Sequence, residues 1–191
     1  MRSVSLAVLA ALLAAGPAAA QMGDMPGMAA NPGPTIAPPP TAAELKLPRP
    51  ARARGIPGAL AAEGALTAIS TCLGNGYKVT GLVTDTAGVP IAMISGDGAA
   101  AITQRIAMTK AQAVLKYKMT SGEVAAKAAA DKSFAAEVKA DPMIETARQG
   151  AIPIMIGSEM VGAFAVSGAP GGDKDEPCAR AGLAKIADRL R

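Results

Sequence analysis

The sequence predicts an α/β domain of the α+β kind, an antiparallel sheet covered by helices, behind a long segment that does not fold. Residues 77–95 and 152–167 each read as two apolar runs around a tight turn, so each is a hairpin with antiparallel strands. Stretches of helical period precede, separate and follow them, giving the order helix, hairpin, helices, hairpin, helix. Those helices have to cover the sheet, because a hairpin alone cannot bury its faces.

Residues 1–20 have the build of an export signal. Met1-Arg2 supplies a positive start, Val4 to Ala15 is a Leu/Ala/Val run, and Pro17-Ala18-Ala19-Ala20 puts small residues before Gln21. The run is shorter than the ~20 apolar residues that cross a bilayer, so cleavage after Ala20 is expected, with no membrane span. The mature protein is then periplasmic or secreted. Nine prolines, Pro26 to Pro57, punctuate residues 21–58. Each fixes φ and removes a donor, so a disordered Pro/Met-rich tether is expected. Within it Met22, Met25 and Met28 form M-x-x-M-x-x-M. Soft thioethers suit Cu(I); simple residue bias behind a signal is the other reading. Lys46, Arg49, Arg52 and Arg54 make a basic run suited to an anionic surface or to solvent.

The folded domain is expected over residues 59–191. Leu66, Ile69 and Leu73 share one helix face, and Gly74-Asn75-Gly76 stops that helix. Strands 77–85 and 89–95 flank the turn Thr86-Ala87-Gly88, and Gly96-Asp97-Gly98 breaks the second strand. Residues 99–117 read as a long helix with Ile102, Ile106 and Ala113 among its apolar positions. Thr120-Ser121-Gly122-Glu123 has capping-box spacing and starts a helix expected to run to Asp141-Pro142. Strands 152–157 and 159–167 form the second hairpin, and Gly168 to Gly172 a flexible loop. Asp173, Asp175 and Glu176 then suit a helix N-terminus, with Pro177 in the first turn and Leu183, Ile186 and Leu190 on the buried face.

Composition excludes several chemistries. Among 191 residues there is no histidine, no Trp, and only two Phe and two Tyr. That removes imidazole relays and His-held zinc or haem. With 2% aromatics, a stacking surface for single-stranded nucleic acid is not expected. Net charge is +4, yet Leu60 to Arg191 carries 14 Lys/Arg against 13 Asp/Glu. The basicity therefore belongs to the tether, and no nucleic-acid partner is expected. Cys72 and Cys178 are the only cysteines. In an oxidising compartment they suit a disulfide; two buried thiols or a two-thiolate metal site are the alternatives.

The candidate site lies where chain breaks meet polar residues. The N–H groups of Gly96-Asp97-Gly98-Ala99 suit an anion if the segment opens a helix; Asp97 as a plain cap is the other reading. Lys110 suits a ligand carboxylate or a protein acid. Ser167 to Gly172 is Gly-rich but lacks the Gly-Lys-Ser/Thr of a phosphate loop. Asp173, Asp175 and Glu176 suit helix capping or a hard cation. No nucleophile, base and orienter are evident, so no catalytic residue is assigned and a binding role is expected before an enzymatic one.

Several short motifs, in order, resemble the GlcG/HbpS-like family of small haem-binding or haem-degrading domains. They are VTDTAG at 83–88, DGA at 97–99, AMTKA at 107–111, GAIPI at 150–154, VGAFAVSG at 161–168, then Asp175-Glu176 and Ala181-Gly182. The resemblance covers residues 60–191. It implies a profilin-like fold, a homo-oligomer, and a small-molecule ligand with haem as the candidate cofactor. If the first and last helices share a side of that sheet, Cys72 reaches Cys178. Together with the residue reading, it makes Asp97, Gly98, Ala99, Lys110, Ser167, Gly168, Asp175 and Glu176 the candidate ligand-binding positions. An enzyme acting on haem or a small hydroxy acid is an alternative within the resemblance. Two departures matter: Ser95-Gly96 stands where Arg-Met often precedes D-G-A, and Ala151 stands where a second Gly is usual. The first removes a strong anion contact. Without histidine, haem would need Met, Tyr, Cys or a carboxylate as ligand, or no protein ligand at all.

Overall fold

The computed structural model describes residues 38, 39, 41 and 53–191. The expected signal segment, Met22, Met25 and Met28, and Lys46, Arg49 and Arg52 lie outside the described residues. The elements are α1 (Gly58–Gly74), β1 (Thr80–Thr84), β2 (Pro90–Ser95), α2 (Ile102–Tyr117), α3 (Ser121–Ala130), α4 (Lys132–Ala140), β3 (Ala151–Ile156), β4 (Glu159–Ser167) and α5 (Gly172–Ile186). The sheet runs β2-β1-β4-β3, and every neighbouring pair is antiparallel. Both expected hairpins are present, joined through β1 and β4. Asp85 fixes the first turn by accepting the Ala87 and Val89 N–H groups at 2.9 Å each. Pro153 is tolerated in β3 because that strand lies at the sheet edge.

The two-residue period of β4 divides the interior. Phe164 and Val166 join a core with α1 and α5 residues, whereas Ala163 and Ala165 join one with α2. Behind α2, Val124, Phe134 and Val138 of α3 and α4 pack with Ala113 and Ile144. This is the helix-covered antiparallel sheet that the sequence predicts.

Several details differ from expectation. In α1 the buried side is Ala61, Gly64, Ala65, Ala68 and Cys72, while Leu66 and Leu73 stay 53% and 57% exposed. Close approach to α5 decides this: a Cβ on Gly182 would fall 2.5 Å from the Gly64 carbonyl oxygen. Small residues therefore take the interface, and the larger leucines are turned outward. That approach brings Cys72 and Cys178 to a Cα separation of 5.6 Å, and they form a disulfide.

The helix begun by the Thr120–Glu123 capping box is two helices, not one. Asp131 ends α3 in an extended conformation and caps α4, accepting the Ser133 and Phe134 N–H groups. Pro177 lies inside α5 rather than in its first turn, because that helix already begins at Gly172. At the other end the domain starts before the expected boundary. Ile56 is buried, the Arg54 carbonyl accepts the Thr86 N–H at 2.9 Å, and the Arg54 guanidinium pairs with Glu159 at 2.6 Å.

Candidate functional site: a cavity over a buried ion pair

Where β4 passes into α5, the sheet end, the start of α2 and the segment before β3 border an open cavity of about 510 Å³. Its floor is an ion pair. Lys110 reaches from α2 to Asp175 of α5 at 2.6 Å, and both side chains are only 3% exposed. Lys110 Nζ also donates to the Val166 carbonyl at 2.9 Å, and the second Asp175 oxygen accepts the Ala169 N–H at 2.9 Å. One pair thus ties α2, β4, the β4–α5 loop and α5 together.

Burial is the dominant influence on both groups. It holds the Lys110 ammonium below the ordinary lysine range and the Asp175 carboxyl above the ordinary aspartate range, against their mutual attraction. The nearby Arg148 charge pushes Lys110 down further.

Two glycines make the arrangement possible. Gly150 has φ 128°, and a Cβ there would fall 2.6 Å from Lys110 Nζ and 2.8 Å from the Val166 oxygen. Gly168 has φ 134°, and its Cβ would meet the Lys78 oxygen at 2.5 Å.

Of the sequence-predicted positions, Lys110, Ser167, Gly168 and Asp175 line this cavity. Ser167 is 3% exposed, and its hydroxyl has no hydrogen-bond partner among the described residues. Asp97, Gly98 and Ala99 are not among the lining residues. They form a turn before α2, which starts only at Ile102. Asp97 does not cap that helix, since the N-cap is Ala101 with no side-chain bond. The turn is also a poor anion cradle, because the Gly96 N–H is given to Val79 and the Ala99 N–H to Gly96.

Glu176 is not among the residues that line the cavity; it pairs through one oxygen with Arg180, while its other oxygen is buried without a partner among the described residues. Asp173, Asp175 and Glu176 therefore diverge rather than converge on a cation. Among the described residues no cluster of three His, Cys, Asp or Glu could hold a metal ion. Nor is any described helix long and apolar enough to cross a membrane.

Sequence reasoning missed Arg148, Ile102 as a cavity wall, and Thr103. Thr103 is a buried lining residue, bonded to Thr80 at 2.7 Å. Arg148 stands two residues before the GAIPI motif, and no helical or strand period marks it.

Ala100, Ile102, Ile106 and Ala169 give the cavity apolar walls, which suit the apolar part of an organic ligand. They offer no Met, Tyr or Cys to an iron, both cysteines are bridged, and the carboxylate that lines the cavity, Asp175, already holds Lys110 and the Ala169 N–H. The periphery of a haem fits such walls; conventional axial ligation does not.

Comparison with known proteins gives a consistent fold. The chain matches the family model of the HbpS-like haem-degrading proteins over residues 57–184. It is similar to a double mutant of HbpS from Streptomyces reticuli at 27% identity, covering 80% of this chain and 99% of that one, with a TM-score of 0.62. The Klebsiella pneumoniae protein ORFY, at 18% identity, covers 74% and 97% with a TM-score of 0.65. PduOC, solved as a haem complex, is 15% identical, covering 65% and 89% with a TM-score of 0.58. The last two show likeness of fold. No curated protein matches the sequence.

Proposed function

We propose that this chain, which belongs to the family of HbpS-like haem-degrading proteins, is an exported protein that binds haem or a haem-related small ligand without histidine ligation. The observation that carries this reading is the apolar-walled cavity over the Lys110–Asp175 pair. The pair is spent on holding four segments together, so the cavity is a preformed receptacle rather than a proton relay. Haem bound there would supply its own redox chemistry; the protein's residues position it and exclude water.

Export is supported by the signal-like residues 1–20 and by the disulfide, which suits an oxidising compartment. In this reading residues 21–58 are largely tether, and the domain assembles with copies of itself. A second reading rests on the M-x-x-M-x-x-M of Met22, Met25 and Met28, which suits Cu(I). Deleting residues 21–30 without loss of Cu(I) affinity would end it.

Titration of the purified protein with hemin tests the main reading. A saturable Soret shift is expected, weakened at least tenfold by Ile106→Glu, which puts a charge on an apolar wall. No shift at micromolar hemin overturns the haem ligand, and an unweakened I106E variant overturns the cavity as its place. Conversion of hemin to a ring-opened product in the presence of a reductant would make the protein an enzyme rather than a binder.

A further inference from the structure

The cations of this domain are not all in the same position. Arg54, Arg105, Arg180 and Arg189 each hold a carboxylate, from Glu159, Glu145, Glu176 and Glu63 respectively. Lys110 holds Asp175. Arg148 lines the cavity and has no carboxylate or hydrogen-bond partner among the described residues. With the Lys110–Asp175 pair neutral as a unit, Arg148 leaves the cavity one positive charge in excess. Ser167 adds a hydroxyl that no protein group uses, on a residue otherwise buried.

The segment carrying Arg148 is also held. Glu145 adopts a left-handed φ of 60°, uncommon for a residue with a side chain, and Arg105 grips both its oxygens at 2.6 and 2.7 Å. Two residues after Arg148 the chain passes through Gly150, which only glycine fits over the ion pair. The backbone on both sides of Arg148 is thus held beside the cavity, while its exposed side chain, unpartnered among the described residues, is available to a ligand.

From these observations we infer that the cavity is a carboxylate site, with the Arg148 guanidinium and the Ser167 hydroxyl receiving the acid group and Ile102 and Ile106 receiving an apolar body. The planar guanidinium donates two parallel N–H bonds to a carboxylate, a geometry that a lysine cannot copy. Ile102 supports the apolar half: it is 52% exposed, a large hydrophobic residue left uncovered at the site. The ligand class is therefore an organic acid with an apolar body. Either a haem propionate or a free aromatic or aliphatic acid supplies that chemistry. The inference rests on the cavity being the ligand site, as proposed above.

The test compares hemin, hemin dimethyl ester and benzoate on the full chain and on its R148A, R148K and S167A variants. Arg148 is exposed and has no hydrogen bond or ion pair among the described residues, so R148A is expected to melt close to the unaltered protein. Hydrogen bonds to a charged group are worth enough that R148A should bind hemin about tenfold or more weakly. R148K should recover part of that loss, and S167A should lose a few fold. The ester, whose acids are capped, should bind weakly to every variant alike.

If hemin and its ester bind equally and R148A changes neither, the carboxylate inference is overturned while the haem reading stands. If hemin does not bind but benzoate raises the melting temperature in an Arg148-dependent way, the carboxylate site stands and haem is the wrong acid. If neither acid binds, both readings fall.

Discussion

The two faces of the sheet are built on opposite principles. On one, α1 and α5 meet through glycine, alanine and a disulfide, with apolar residues and no buried charge at the contact. On the other, α2 lies over alanines and sends a buried lysine past the sheet end to Asp175 at the start of α5, with a cavity left open beside the pair. The first face has close packing and a covalent tie. The second accepts desolvated charge and unfilled space, both unfavourable for stability. The contrast teaches that the stapled face can carry the stability the open face gives up, so that a site can be kept preformed.

Separating the faces experimentally is direct. Cys72 and Cys178 lie 106 residues apart, so in the chain-entropy view replacing both by alanine should lower unfolding free energy by about 4–5 kcal/mol. Urea denaturation measures the loss, and hemin affinity under folding conditions should not change. A large loss of affinity would mean that the faces are not independent. On the open face, K110A leaves the Asp175 carboxylate buried and unpaired and should cost about 3–5 kcal/mol together with ligand affinity. The double change K110M/D175L should regain most of the stability and none of the affinity. Full recovery of both would show that the pair only fills space.

A smaller effect is expected from acid. The Thr120 backbone and hydroxyl hold Glu123 below its ordinary 4.5, the Ser133 hydroxyl and the Phe134 and Ser133 N–H groups lower Asp131 below 3.8, and Lys116 lowers Asp141 below 3.8. Depressed carboxylates contribute stability above their unfolded values and lose it as pH falls through their folded ones. Asp175, raised by burial, acts in the opposite sense and gives some stability back as it is protonated. Melting temperature should therefore show no histidine step near neutrality, begin to decline below about pH 5 and fall further as pH drops through the depressed folded values. A sharp loss between pH 6 and 7 would contradict this account.

What the sequence disclosed follows from how local each signal is. The hairpins were legible because turn chemistry acts within a few residues, as Asp85 does for Ala87 and Val89. The capping box of α3 was legible for the same reason. The buried side of α1 was not, since leucine spacing says nothing about how closely another helix approaches. The break at Asp131 was missed although Asp131-Lys132-Ser133 carries a cap signal, because alanines on both sides of it sustain a helical pattern. Half of the candidate ligand positions meet at the cavity. The pairing of Lys110 with Asp175 joins residues 65 apart, which no period or spacing exposes. Arg148 was silent because its meaning lies in lining the cavity without a partner among the described residues, and a sequence shows neither the cavity nor the pairing of other charges.

The disulfide has a consequence in the order of synthesis. Cys72 leaves the ribosome before any strand, and Cys178 only after all of them. No correct bridge can close on a partly made sheet, and there is no third cysteine to form a wrong one within the chain. The bond therefore works as a seal applied after the last strand: its closure reports that all four strands have been made.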